Sequence, residues 1–67
     1  MSLFQAGDVA IGKATGLKVL IIYDAENAQC DGEPCYVVRR EGKIIVEMQD
    51  IFEQLFEKVA PDWKASI

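Results

Sequence analysis

The sequence predicts a small α+β domain: an antiparallel meander of four strands, curled toward a partly open barrel, with one C-terminal helix. Three observations lead to it. The chain has 67 residues, enough for one small domain and too few for two. The stretches 17–23 and 35–48 are dense in β-branched and aromatic residues, the types that suit a pleated surface. After Asp50 the apolar spacing changes from that of a strand to that of a helix.

Taken in order, Phe4 is a large apolar residue near the start of the chain and is expected to dock on the core. Asp8-Val9-Ala10-Ile11 alternates weakly and reads as a first strand, 8–11. Gly12-Lys13-Ala14-Thr15-Gly16, with its two glycines, reads as a loop. In the second strand, 17–23, Leu17, Val19, Ile21 and Tyr23 share one face and Leu20 and Ile22 the other. Both faces are apolar, which predicts a central strand covered on both sides.

Asp24 to Pro34 is polar, and Asp31-Gly32 is a turn dipeptide. Strands at 35–40 and 43–48 follow, joined by Glu41-Gly42 in a tight hairpin. That hairpin sets Arg40 opposite Lys43, Val38 opposite Ile45 and Tyr36 opposite Glu47, with Val37 reaching Ile44 or Val46 only diagonally. Ile51, Phe52, Leu55, Phe56 and Val59 then fall on one helical stripe, predicting a helix over 50–60. Asp50 is its expected N-cap, Glu53 the capping-box partner, Lys58 the charge suited to its C-terminal end, and Pro61 its stop. A helix this short does not stand alone in water, so it must pack on the sheet or on a partner.

Composition excludes several classes of function. Seven Lys and Arg against eleven Asp and Glu give a net charge of −4, which disfavours a nucleic-acid partner, because phosphates must be met by clustered positive charge. The one basic trio, Arg39, Arg40 and Lys43, reads as a solvated hairpin. The longest apolar run, Val19 to Tyr23, is far too short to span a membrane. Nothing at the N-terminus resembles a leader, which leads us to expect a cytoplasmic protein whose cysteines are thiols.

The opening Phe4-Gln5-Ala6-Gly7-Asp8-Val9, followed by Gly16-Leu17-Lys18-Val19 and Tyr36-Val37-Val38, resembles the start of short bacterial SH3-like barrel proteins. The resemblance covers roughly residues 4–48 and implies a binding module or an appendage of a larger assembly. It transfers no functional residue. A typical member closes with a short 3₁₀ turn and a fifth strand, where this chain has its helical stripe.

Few residues offer chemistry. In Cys30-Asp31-Gly32-Glu33-Pro34-Cys35, a turn at 31–34 would place the two cysteines opposite each other across a hairpin. Free thiols, a disulfide, or a thiol or metal site are the options. Structural zinc wants four ligands, and the chain has two cysteines and no histidine. Asp24, Glu26, Asp31 and Glu33 read as a solvated loop, lacking the ligand alternation of a calcium site. Without histidine, Ser2, Thr15 and Ser66 have no ordinary general base. The 12–16 loop has neither the length nor the following helix of a phosphate loop.

The expectation is therefore a non-catalytic protein-interaction module without a cofactor, binding another protein or a second copy of itself. Its expected contact residues are Tyr23 and Tyr36 on a sheet face, and Phe52, Phe56 and Trp63 on the helix edge and tail. The alternatives are a thiol or metal site at the Cys30–Cys35 hairpin, and a small acidic inhibitor or nucleic-acid-associated accessory protein.

Overall fold

The structure, a computed structural model, describes residues 2–59. Six strands and one short helix run in the order β1 (Val9–Gly12), β2 (Lys18–Tyr23), β3 (Gln29–Cys30), β4 (Glu33–Arg40), β5 (Lys43–Met48), α1 (Gln49–Leu55) and β6 (Phe56–Lys58). All pairings are antiparallel: β6 with β1, β1 with β2, β2 with β4, β4 with both β3 and β5. The predicted meander is thus present, with β2 in a central position. The two outer strands β5 and β6 do not pair with each other, so the sheet is open rather than a closed barrel. Trp63 and Pro61 lie outside the described residues.

The core lies on one face of this sheet. Phe4, Ala10, Val19, Ile21, Ala25, Tyr36, Val38 and Phe52 are all buried, with Ile45 and Phe56 packed against them. Phe4 docks as its size near the chain start predicts. Its ring meets Tyr36 and Phe52 edge-on, with centroids 5.6 and 5.2 Å away, an arrangement that aromatic quadrupoles favour.

Several details depart from the sequence expectation. The helix ends at Leu55 rather than at 60, because Phe56 is already extended (φ −125, ψ 153). Residues 56–58 instead pair with β1, setting Gly12 opposite Phe56, Ile11 opposite Glu57 and Ala10 opposite Lys58. The Lys13 amide donates to the Leu55 carbonyl at 2.9 Å and the Val59 amide to the Val9 carbonyl at 3.2 Å. The edge of β1 would otherwise leave backbone groups unpaired, and that ladder overrides a marginal helical period. Lys58 serves the same junction in an ion pair with Asp8 at 3.2 Å, not the end of a helix. A Cβ at Gly12 would come within 2.5 Å of Thr15 Oγ1, so a larger residue there would displace that hydroxyl from the Leu17 amide it accepts from.

The start of the helix differs too. Gln49 is its first residue, Met48 occupies the N-cap without a side-chain bond, and Asp50 lies inside the first turn. Glu53 does not close a capping box; it turns to the N-terminal segment, as described below. In the β4–β5 hairpin the predicted register holds, except that Val37 sits directly opposite Val46. Finally, a bulge between Ile21 and Tyr23 sets Tyr23 opposite Val37. Tyr23 therefore lies on the face away from Val19 and Ile21, not on theirs.

Candidate protein-interaction surface

The two faces of the sheet are built from alternating residues of the same strands. On the inner side one polar knot fixes the geometry. Tyr36 is fully buried, and its hydroxyl donates to Glu53 Oε2 at 2.5 Å while accepting from the Phe4 amide at 3.3 Å. The same carboxylate oxygen accepts from the Leu3 amide at 3.1 Å and from Gln49 Nε2 at 3.2 Å. Strand β4, helix α1 and the N-terminal segment are tied together at one carboxylate.

The proton affinities follow from that arrangement. Burial alone would raise the Glu53 carboxyl, but hydrogen bonds from Tyr36, Leu3 and Gln49 outweigh it and leave it below the usual carboxylate value. Burial, and then the bond to Glu53, push the Tyr36 phenol up. Each group thus stabilises the other in the state it holds near neutral pH: a phenol that donates and a carboxylate that accepts.

Among the described residues the outer side has no such cover. Val9 pairs with Leu20, Leu20 with Arg39 and Arg39 with Ile44, making one row across four strands. Beside it, Tyr23 pairs with Val37 and Val37 with Val46. Side chains opposite each other in a ladder share a face, so six apolar residues surround one guanidinium. Four of them are substantially exposed: Leu20 at 40%, Tyr23 at 55%, Ile44 at 56% and Val46 at 51%. Single exposed apolar residues are ordinary, but side-by-side rows of them mark contact surfaces.

The sequence-derived contact residues are therefore separated. Tyr23 lies on the exposed outer face, whereas Tyr36 and Phe52 are fully buried and are core residues rather than surface contacts. Phe56 is half-buried and stacks on Phe52 with centroids 4.3 Å apart. Trp63 lies outside the described residues. On the helix it is Ile51 and Leu55, four residues apart, that are exposed. Leu20, Ile44 and Val46 were not singled out by sequence. For Leu20 the signal lies in the apolar character of both faces of 17–23, which predicts a strand covered on both sides; for Ile44 and Val46 it lies in the apolar run of 43–48.

The cysteine hairpin takes a different register from the expected one. Its turn is the two residues Asp31 and Gly32, both with positive φ (53 and 80), which fits a type I′ turn. Cys30 consequently faces Glu33, not Cys35, and both thiols are free, Cys30 exposed and Cys35 buried. Burial pushes the Cys35 thiol up, and the neighbouring Cys30 adds to the shift. A raised thiol holds less of the thiolate that nucleophilic and metal-binding chemistry uses. Among the described residues no group of three or more histidine, cysteine or acidic side chains is placed to hold a metal ion. No helix of the described residues is long and apolar enough to cross a membrane.

Compared with known proteins, the chain matches no family model, no curated protein and no solved structure.

Proposed function

We propose that this chain is a non-catalytic protein-interaction module whose contact surface is the outer face of the sheet, centred on Leu20, Tyr23, Val37, Ile44 and Val46 around Arg39. One observation carries the proposal: the two adjacent apolar rows exposed on hydrogen-bonded strands. Strand side chains are held in place before binding, so little ordering entropy opposes contact. Tyr23 and Arg39 are of the types enriched at energetic centres of interfaces.

The strand order supports a finer reading of the fold. β6, β1, β2, β4 and β5 follow one another across the sheet, and the helical turn α1 precedes the last strand to pair. A short helical turn followed by a closing strand is the ending that the opening motif leads one to expect of an SH3-like protein. We read the chain as an open variant of that arrangement. Fold alone assigns no activity, and the functional proposal rests on the exposed face.

Site-specific photocrosslinking tests it. A benzophenone side chain placed at Tyr23 or Ile44 in the expressing cell is expected to give discrete protein adducts, and one at Thr15, in the distant loop, none. Equal labelling at all three positions, or none at any, overturns the proposal.

A further inference from the structure

We propose that a second copy of this chain adds to the open edge of β5, antiparallel and about a two-fold axis through Ile45, joining the two sheets into one. The inference goes beyond the interaction reading above: pairing at this edge would double the outer face without covering it, and so leaves that face's partner open. It begins with the turn. Glu41 and Gly42 form a two-residue connection with φ of 52 and 78, and Arg40 pairs with Lys43 across it. In a hairpin of this kind the pair flanking the turn exchanges both hydrogen bonds, and alternate pairs do so beyond it. Lys43, Ile45 and Glu47 therefore direct their backbone groups to β4, and Ile44 and Val46 direct theirs to the open side.

That side is straight. The β4–β5 ladder runs without a register shift from Arg40↔Lys43 to Cys35↔Met48, β5 contains no proline, and no other described strand pairs with it. Edges are ordinarily protected by bulges, prolines or charges. Here charge is the device present, and it is self-complementary. Lys43-Ile44-Ile45-Val46-Glu47 laid antiparallel on itself sets Ile45 against Ile45, Ile44 against Val46, and Lys43 against Glu47 at both ends.

Backbone geometry selects the same register. Ile44 and the second copy's Val46 both direct N–H and C=O groups to the seam, so they form the hydrogen-bonded pairs. A one-residue slip would set seam-facing groups against ladder-facing ones and interchange the faces. A shift that opposes Ile44 with Ile44 puts Lys43 against Ile45, and one that opposes Val46 with Val46 puts Glu47 against Ile45. Both lose two ion pairs. The chosen register also brings a carboxylate beside the like-charged pair Arg40 and Lys43, and makes the outer apolar rows continuous across the seam. An unrelated strand would have to supply the same charge pattern in reverse, so the two ends favour self-pairing over other partners.

Sedimentation velocity of the full chain, over a concentration series into the high micromolar range at low salt, is expected to show a monomer–dimer equilibrium. Lys43→Glu and Glu47→Lys each place like charges opposite each other and should weaken the dimer roughly tenfold or more. The double exchange restores opposite charges and should recover it. Val46→Pro removes an N–H that faces the seam and not β4, a position where an edge strand tolerates proline. It should stay folded by circular dichroism and remain monomeric. A wild-type chain that is monomeric throughout overturns the inference, as does a double exchange no tighter than the single variants, or a folded Val46→Pro chain that still dimerises. A monomer that still gives crosslinks from Tyr23 and Ile44 to a different protein overturns the dimer alone; a monomer without adducts overturns the interaction reading as well.

Discussion

The inner and outer faces of this sheet draw on the same strands and on similar residues, yet they end in opposite environments. Val19, Ile21 and Val38 point inward and are at most 3% exposed; Leu20, Ile44 and Val46 point outward and are 40% or more exposed. Inward residues meet Phe4 and Phe52, supplied by the N-terminal segment and by α1. Among the described residues, the outward ones meet no second layer. A strand's apolar content therefore does not by itself report a core, because burial needs a covering element and the described residues supply one for a single face. What remains exposed is surface that folding does not use, which is why we assign it to binding.

The sharpest way to break this comparison is to cut into each face in turn. Phe52 is the residue through which α1 seals the core, in contact with Phe4, Tyr36 and Phe56. Phe52→Ala should cost about 3–5 kcal/mol, the usual range for emptying a buried aromatic site. That is a large part of the total stability of a small domain, so thermal denaturation should show a chain largely unfolded at room temperature or close to it. A Phe52→Ala chain that melts within a few degrees of wild type would mean that α1 does not cover the inner face.

The next effect in size concerns the knot that holds this cover down. Tyr36→Phe keeps the ring and removes the hydroxyl, leaving Glu53 short of a donor and the Phe4 amide short of an acceptor. A loss of about 1–3 kcal/mol is expected, or roughly 4–24 °C in melting temperature for a domain of this size. No change would show that the N-terminal segment is held by its phenylalanine alone.

Much of this frame was legible in the sequence, and the failures share a cause. Strand 43–48 and its pairing with 35–40 were readable because the glycine turn fixes a local register. The docking of Phe4 followed from its size. The closing strand was not readable, because residues 56–58 are chosen by a ladder with β1, over forty residues away, while their apolar spacing also fits a helix. Tyr23 changed faces through a bulge that has no signature in the residue order. The cysteines missed each other because Asp31-Gly32 closes a two-residue turn instead of the four-residue one expected. As for the candidate surface, its residues were visible as apolar, but not that the described residues would leave one face without a cover.

Dependence on pH probes the inner side without altering its volume. The folded chain holds Glu53 below its ordinary value, so this carboxylate stabilises the fold above the normal glutamate range. The contribution is lost as pH falls through about 4 and below. Tyr36 and Cys35 are both raised; they favour the fold below their ordinary values, and that stability is lost as pH rises through the alkaline range. Denaturant melts across pH should thus weaken on both sides of neutrality. Glu53→Gln should flatten the acid limb, and Tyr36→Phe combined with Cys35→Ala the alkaline limb. An acid limb unchanged by Glu53→Gln would detach this carboxylate from the stability of the inner face.

The smallest expected change in stability is on the outer face, and its smallness is what gives it meaning. Ile44→Thr and Leu20→Thr remove exposed apolar surface while keeping side chains that strands accept. Neither residue is buried in the single chain, so each should alter the stability of the isolated monomer, measured by dilute urea melts, by no more than about 0.5 kcal/mol. The same changes should reduce the adducts formed from a crosslinker at Tyr23, which sits on the same face at the first pair beyond the bulge. A residue that matters to contact and not to folding must owe its apolar character to a partner. If instead these substitutions destabilise the monomer by several times that amount, the outer face is already covered within the chain. Its residues would then belong to the core, and the contrast between the two faces would disappear.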